Sequence, residues 1–280
     1  MADKIIGLGE ILWDMLPTGK ALGGAPANFA YHATRLGGAG VAVSAVGNDP
    51  LGDEIVALLT DKGLAAHIER VAYPTGTVAV TLDECGVPSY EICEGVAWDN
   101  IPYTAAMHSL AEEAAAVCFG SLAQRSECSA TTIERFLAAL PDSCLKIFDI
   151  NLRQHYYSQE IIEKSLQIAD ILKINDEEMD IVAPILDVEG DDTARCRALL
   201  SRHDLQAVVL TRGAKGSLVV SATEADERGV VDVEVVDTVG AGDAFTAGFV
   251  VAWLRGDSLS EAHKLATESS AYACTLKGAM

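Results

Sequence analysis

Apolar runs of strand length return along this chain at intervals filled by amphipathic stretches. "KIIGLGEIL" (4–12), "GVAVSAVG" (40–47), "AAVCFGS" (115–121), "LKIFDIN" (145–151), "ADILKIN" (169–175) and "QAVVLTRG" (206–213) are the strand-like runs. Most lack a polar face, which is the mark of strands covered on both sides. Between them, "APANFAYHATRLGG" (25–38) and "LGDEIVALLTDKG" (51–63) read as helices that stop at glycine. Strands covered on both sides and separated by helices predict an α/β fold: one domain over 1–280 built on a doubly wound, mostly parallel sheet. In such sheets ligands sit outside the carboxyl ends of the strands. One stretch breaks the rhythm. "VAYPTGTVAVTLDECGVPSYEICE" (71–94) alternates like strands with no helix between, and Gly86 and Pro88 mark a turn inside it. It predicts a small β-sheet appendage, spanning about 11–22 and 71–98. Such an appendage serves either as a lid over a site or as a contact between two copies.

The 280 residues are half hydrophobic and carry 41 acidic against 20 basic side chains, a formal net charge of −21. That balance excludes nucleic acid and anionic membranes as partners, since both need a basic surface. No apolar run reaches the roughly 20 residues of a membrane span. "MADKIIGLGEILWD" lacks the basic start and cleavage site of a signal peptide. The seven cysteines are odd in number and never spaced C-x-x-C, so reduced, buried thiols in the cytoplasm are expected. An anionic ligand would have to be held by local devices: helix N-termini, a few placed cations, a divalent metal.

"VVDTVGAGDAFTAG" (235–248) is where such devices gather. A strand-like "VVDVEVVD" (230–237) feeds a turn, and a helix "DAFTAGFVVAWLRG" (243–256) follows. Gly240, Ala241 and Gly242 bare the backbone at the positive end of that helix, a place for an anion. Asp243 next to it can accept a proton from a hydroxyl, or serve only as a helix-start charge. The chain has no G-x-x-x-x-G-K-[ST] loop. Nor does it have a dinucleotide fingerprint: Phe245 occupies the third glycine position after Gly240 and Gly242, and Leu12 does so after Gly7 and Gly9.

"DTVGAGDAF" together with "GGAPANFA" (23–30) resembles the PfkB/ribokinase family of carbohydrate kinases, most of all its fructokinases, over nearly the whole chain and in the family's order. The resemblance implies a ribokinase-like fold and ATP-dependent phosphorylation of a small sugar, D-fructose at its 6-hydroxyl first among them. By resemblance Gly240, Ala241 and Gly242 form the anion hole and Asp243 is the catalytic base. Asp14, Gly23, Gly24 and Asn28 match the sugar site, as do Asn151 and Arg153 of "DINLR", where Arg153 could reach the sugar or the γ-phosphate. Tyr156 and Tyr157 stand where fructokinases carry a Leu-Trp pair. Asn175 and Glu178 of "LKINDEEM" match the N-x-x-E pattern that organises Mg²⁺ and its waters, although Asn-x-x-Glu is also a capping box. Lys173 resembles a lysine on the ATP phosphates; it is equally an ordinary strand lysine. Thr211, Gly213 and Gly216 of "LTRGAKGS" match the nucleotide loop, and the adenine is expected against a helix over 266–279. Backbone oxygens of Asp237 and Val239 would meet a monovalent cation such as K⁺. The rivals are kinases of ribose, 2-keto-3-deoxygluconate or another sugar, a sugar-binding protein without turnover, and an NAD-dependent enzyme, which the missing fingerprint disfavours.

Overall fold

The computed structural model describes residues 4–16, 19–82 and 88–280. The chain starts with β1 (Lys4–Leu8), β2 (Leu12–Leu16), β3 (Gly19–Gly23), α1 (Ala25–Arg35), β4 (Ala39–Gly47), α2 (Pro50–Asp61) and β5 (Ala65–Val71). Next come β6 (Gly76–Leu82), β7 (Pro88–Ile92), α3 (Ala105–Glu112), β8 (Ala114–Phe119), α4 (Glu127–Ala138), β9 (Leu145–Asp149) and α5 (Gln159–Ile168). The last third holds β10 (Ile171–Asn175), α6 (Asp176–Ile185), α7 (Asp192–Arg202), β11 (Ala207–Thr211), β12 (Ser217–Ser221), β13 (Ala225–Arg228), α8 (Ala241–Leu254) and α9 (Leu259–Cys274).

Nine strands form the main sheet in the order β13-β12-β11-β10-β9-β8-β1-β4-β5. From β11 to β5 every pairing is parallel; β12 and β13 add an antiparallel edge. Alternate residues divide between the two faces. Ile5, Cys118, Ile147 and Val209 pack with Phe29 of α1, Phe249 of α8 and Ala262 of α9. Ile6, Val117, Phe148 and Val208 pack with Phe136 of α4, Leu166 of α5 and Leu199 of α7. This is the doubly wound α/β sheet that the two-sided apolar runs predict. Along α8, nine consecutive residues, Ala244–Ala252, are buried. A helix apolar all round belongs inside a core, and each fully buried Phe or Val there contributes about 1.5–3 kcal/mol.

The second sheet has four strands in the order β3-β2-β6-β7, drawn from 12–23 and 76–92. The turn assigned to Gly86 lies outside the described residues. Arg125 fastens the base of this sheet to the main body. Its guanidinium bonds Asp99 through both Nε (2.8 Å) and Nη2 (2.9 Å) and donates to the Cys93 carbonyl at 2.6 Å. It lies between the rings of Trp98 and Tyr156, 4.0 and 4.4 Å away. The Tyr156 hydroxyl donates to Glu94 at 2.8 Å. Tyr156 therefore works at the junction of the two sheets.

Three sequence expectations need correction. "KIIGLGEIL" is not one strand: β1 ends at Leu8, the chain breaks at Gly9–Glu10 and enters the second sheet at Leu12. "VVDVEVVD" forms no strand; Val230, Val231, Val235 and Val236 are exposed. The main sheet ends at β13, so that segment has no neighbouring strand to give its alternation a partner. The C-terminal helix does not cover 266–279. It starts earlier, behind a reciprocal Ser258–Glu261 capping box, and ends at Cys274.

Candidate active site

The carboxyl ends of β1, β9, β10 and β11, the turn before α1 and the start of α8 face one another. Each brings a functional side chain for a local reason. Gly240 caps α8 in the left-handed region at φ 79, and a Cβ there would lie 2.7 Å from the Ala279 Cα, so only glycine fits both the dihedral and the space. The amides of the following turn, at Gly242 and Asp243, lie where a helix has no internal acceptor. They face outward at the positive end of the helix dipole. Gly24, at φ 121, starts α1 in the same manner; a Cβ on it would collide with the carbonyl of Glu10.

α1 then presents Asn28, which is buried, toward α8. Its Nδ2 donates to Asp243 Oδ2 at 2.7 Å across 215 residues of sequence, so the two glycine motifs meet at one place. Burial and the neighbouring Asp149 push the Asp243 carboxyl up to about 7; the Asn28 hydrogen bond, Lys173 and Arg153 pull against them. Burial also raises Asp14, on β2 beside Gly23, with Arg153 opposing.

Beneath the turn lies an ion pair that the motif pattern does not disclose. Lys173, at mid-strand in β10, bonds Asp149 Oδ1 at 3.0 Å, and Thr246 of α8 donates to Asp149 Oδ2 at 3.1 Å. Both charged side chains are almost fully buried. A Cβ on Gly242 would lie 3.4 Å from the Lys173 ammonium, so the cation sits directly behind the glycine turn. Burial works against that ammonium, but Asp149, Glu178 and Asp243 together outweigh it and hold its pKa above the ordinary value. Lys173 is therefore no ordinary strand lysine: it is paired within the molecule.

Asn151 takes a left-handed φ of 45, which Asn tolerates, and donates to Glu10 Oε1 at 3.3 Å. Arg153 lies within electrostatic reach of Glu10, Asp14 and Asp243. Asn175 and Glu178 form the capping box in full: Asn175 Oδ1 accepts from the Glu178 amide at 2.8 Å, and Glu178 Oε2 from the Asn175 amide at 2.9 Å. Glu178 Oε1 accepts from the Leu152 amide at 3.0 Å. Burial raises the Glu178 carboxyl and Lys173 opposes that rise. No cluster of three or more His, Cys, Asp or Glu suited to a metal occurs among the described residues. Each Glu178 oxygen accepts one backbone amide and keeps a lone pair that a water on a bound Mg²⁺ could use.

Thr211 ends β11 in register with Asn175, so the Gly213–Lys215 turn sits on the same edge of the sheet. Gly216, at φ 88, leaves no room for a side chain against the Arg228 carbonyl. That packing accounts for its being glycine. Asp237 accepts the Val239 amide and the Gly278 amide, both at 3.0 Å, and these bonds lower its pKa. Its side chain thereby ties the turn before α8 to the segment after α9. Glu10 and the Asp149–Thr246 contact are what the motifs miss. Glu10 had a legible signal, an acid directly after Gly9 at the end of the first strand; Thr246 had none.

The sequence matches the family described as pfkB family carbohydrate kinase over residues 16–280. The fructokinase of Vibrio alginolyticus is 29% identical over 293 residues, covering 97% of this chain and 93% of that protein. The ATP-dependent 6-phosphofructokinase of Thermoanaerobacterium thermosaccharolyticum is 30% identical over 294 residues, 99% of this chain and 89% of that protein. Among solved structures, the fructokinase of Vibrio cholerae O395 bound to fructose, ADP and calcium superposes with a TM-score of 0.82 at 27% identity, over 100% of this chain and 95% of that one. With the two glycine motifs joined by the Asn28–Asp243 bond and the match running through most of its length, the chain belongs to the pfkB family of carbohydrate kinases.

Proposed function

We propose that this kinase transfers the γ-phosphoryl group of ATP to the 6-hydroxyl of D-fructose. The hydrogen bond between Asn28 and Asp243 carries the reading: it sets an amide suited to sugar hydroxyls against a carboxylate suited to deprotonating one. A base with a pKa of about 7 is matched to work near neutral pH. Asp243 takes the proton of the sugar's primary hydroxyl as that oxygen bonds to the γ-phosphorus. The bond from phosphorus to the β–γ bridging oxygen breaks, and its electron pair leaves with ADP. The Gly240–Ala241–Gly242 turn receives the charge on the transferring group: the Gly242 amide, with that of Asp243, offers backbone donors, the Ala241 amide bonds the Thr238 carbonyl at 3.2 Å, and the Lys173 ammonium is fixed behind the turn. Asp14, Gly23, Gly24, Asn28 and Asn151 hold the sugar, and Arg153 spans sugar and phosphate. Thr211 and Gly213 line the ATP phosphates. Glu178 and Asn175 are the residues that would hold a Mg²⁺, which would supply neutralising charge to the phosphates. The backbone oxygens of Asp237 and Val239 are those that would hold a monovalent cation such as K⁺. The four-stranded sheet closes over the sugar and excludes water, and its exposed Met15 and Leu16 are where two copies would meet.

Relatives at about 30% identity act on fructose or on fructose 6-phosphate, so the acceptor needs a physical argument. Lys173 is committed to Asp149, and Arg153 lies within electrostatic reach of Glu10, Asp14 and Asp243. One cation among three acids suits a neutral sugar better than one that already bears a phosphate. ADP release with ATP and Mg²⁺ across fructose, fructose 6-phosphate, ribose and 2-keto-3-deoxygluconate tests this. Fructose is expected to give the highest kcat/KM. A higher value with another acceptor replaces fructose and keeps the kinase; no release with any sugar points to a binding protein.

A further inference from the structure

We infer that Glu10 is a sugar ligand of this site: its unpartnered carboxyl oxygen takes one hydroxyl of the acceptor and so determines which sugars are accepted. The inference rests on the kinase reading above. Glu10 stands where the chain leaves the main sheet for the second one, between β1 and β2, and is 3% exposed. One carboxyl oxygen, Oε1, accepts from Asn151 at 3.3 Å. The other, Oε2, is sealed from solvent and has no hydrogen-bond partner among the described residues. Asn28 is in the same condition: its Nδ2 is spent on Asp243 while its Oδ1 is buried without a partner.

Buried polar atoms are nearly always paired, and an unpaired one marks a place where something else binds. Two such atoms here belong to side chains that each bond a residue of the proposed site, Asn151 in one case and the catalytic carboxylate in the other. The Glu10 carbonyl also forms the floor under Gly24, against which a Cβ there would collide. Glu10 thus touches the glycine turn with its backbone and the Asp-x-Asn-x-Arg loop with its side chain. Burial pushes its carboxyl up to about 7, with its own backbone amide and then Arg153 opposing and Asp243 and Asp149 reinforcing. Near neutral pH it can therefore donate as well as accept, which suits a hydroxyl, itself both donor and acceptor.

A site built around a hydroxyl rejects an analogue that lacks it, because the buried partner is left unpaired. The test measures kcat/KM with ATP and Mg²⁺ for the wild-type protein, E10Q and E10A. The acceptors are D-fructose and analogues lacking one hydroxyl each: 1-deoxy, 3-deoxy, 4-deoxy and 2,5-anhydro. The wild-type protein is expected to reject one analogue by ~10² or more, and in E10A that one penalty collapses to within about 5-fold while the others persist. E10Q, which keeps the shape and part of the hydrogen bonding, falls between. If both variants lose activity in the same proportion on every acceptor, or keep the wild-type pattern, Glu10 only braces Asn151 and the inference is overturned. A wild-type protein that phosphorylates none of these sugars removes the fructose reading and Glu10's role with it. That outcome shows in the wild-type data alone, so the two failures are told apart.

Discussion

Replacing Asp243 with Asn is expected to lower turnover by ~10²–10⁴, the usual contribution of a positioned general base, with sugar affinity little changed. The substitution keeps the shape and an oxygen able to accept the Asn28 bond, but removes the group that takes the proton. The pH profile makes the test specific. With its carboxyl raised to about 7, Asp243 is protonated and inactive as a base below that value. The acid limb of kcat/KM in the native protein is therefore expected near pH 7, and in the Asn variant that limb disappears. Stability separates the base role from a folding defect. A carboxyl with a raised folded-state pKa favours the folded protein while it is neutral, and this contribution is lost as pH rises through about 7. The variant, which does not ionise, is thus expected to gain melting temperature relative to the native protein between pH 5 and pH 8. Turnover within a few-fold of native, or an unmoved acid limb, would contradict the assignment.

The second large effect is expected at Lys173. Its pairing with Asp149 is buried on both sides, and removing one partner leaves the other charge uncompensated. Lys173→Met is therefore expected to cost ~3–5 kcal/mol of stability, seen as a fall in melting temperature of roughly 6–20 °C for a chain of this size. Because Lys173 also pulls the Asp243 pKa down, any residual activity should show its acid limb at higher pH. The double variant Lys173→Met/Asp149→Asn removes both charges and is expected to recover most of the stability but not the rate. Loss of the fixed cation behind the glycine turn accounts for the difference. Thermal unfolding of the two variants, read beside their turnover, checks this. A single variant as stable as the native protein would mean the pair is solvated.

The strands of the parallel core were legible because burial on both faces leaves an unbroken apolar run, and the glycines at 37, 63 and 256 end their helices as local chemistry requires. The capping box at Asn175 and Glu178 was legible for the same reason: its partners are three residues apart. The segment 230–237 misled because period-two alternation states what a strand could bury and says nothing of whether a neighbouring strand exists; here the sheet ends at β13. "KIIGLGEIL" misled because two strands that follow each other directly in sequence belong to different sheets. Tyr156 shows in sequence only as a departure from the Leu-Trp pair, because its partners, Arg125 and Glu94, lie far from it along the chain.

The residues proposed for catalysis are each set by local sequence. A glycine that must be left-handed, an acid at the first turn of an apolar helix and an asparagine one turn from a glycine pair are each dictated by neighbours along the chain. Their alliance is not. Asn28 meets Asp243 across 215 residues, Thr246 and Lys173 converge on Asp149, and Glu10 is left with a free oxygen only once the sheet brings the ends of β1, β9 and β10 together. Side-chain chemistry is inherited from the residue itself, whereas pKa, pairing and the absence of a partner are properties of distance and burial, which exist only after the chain has packed.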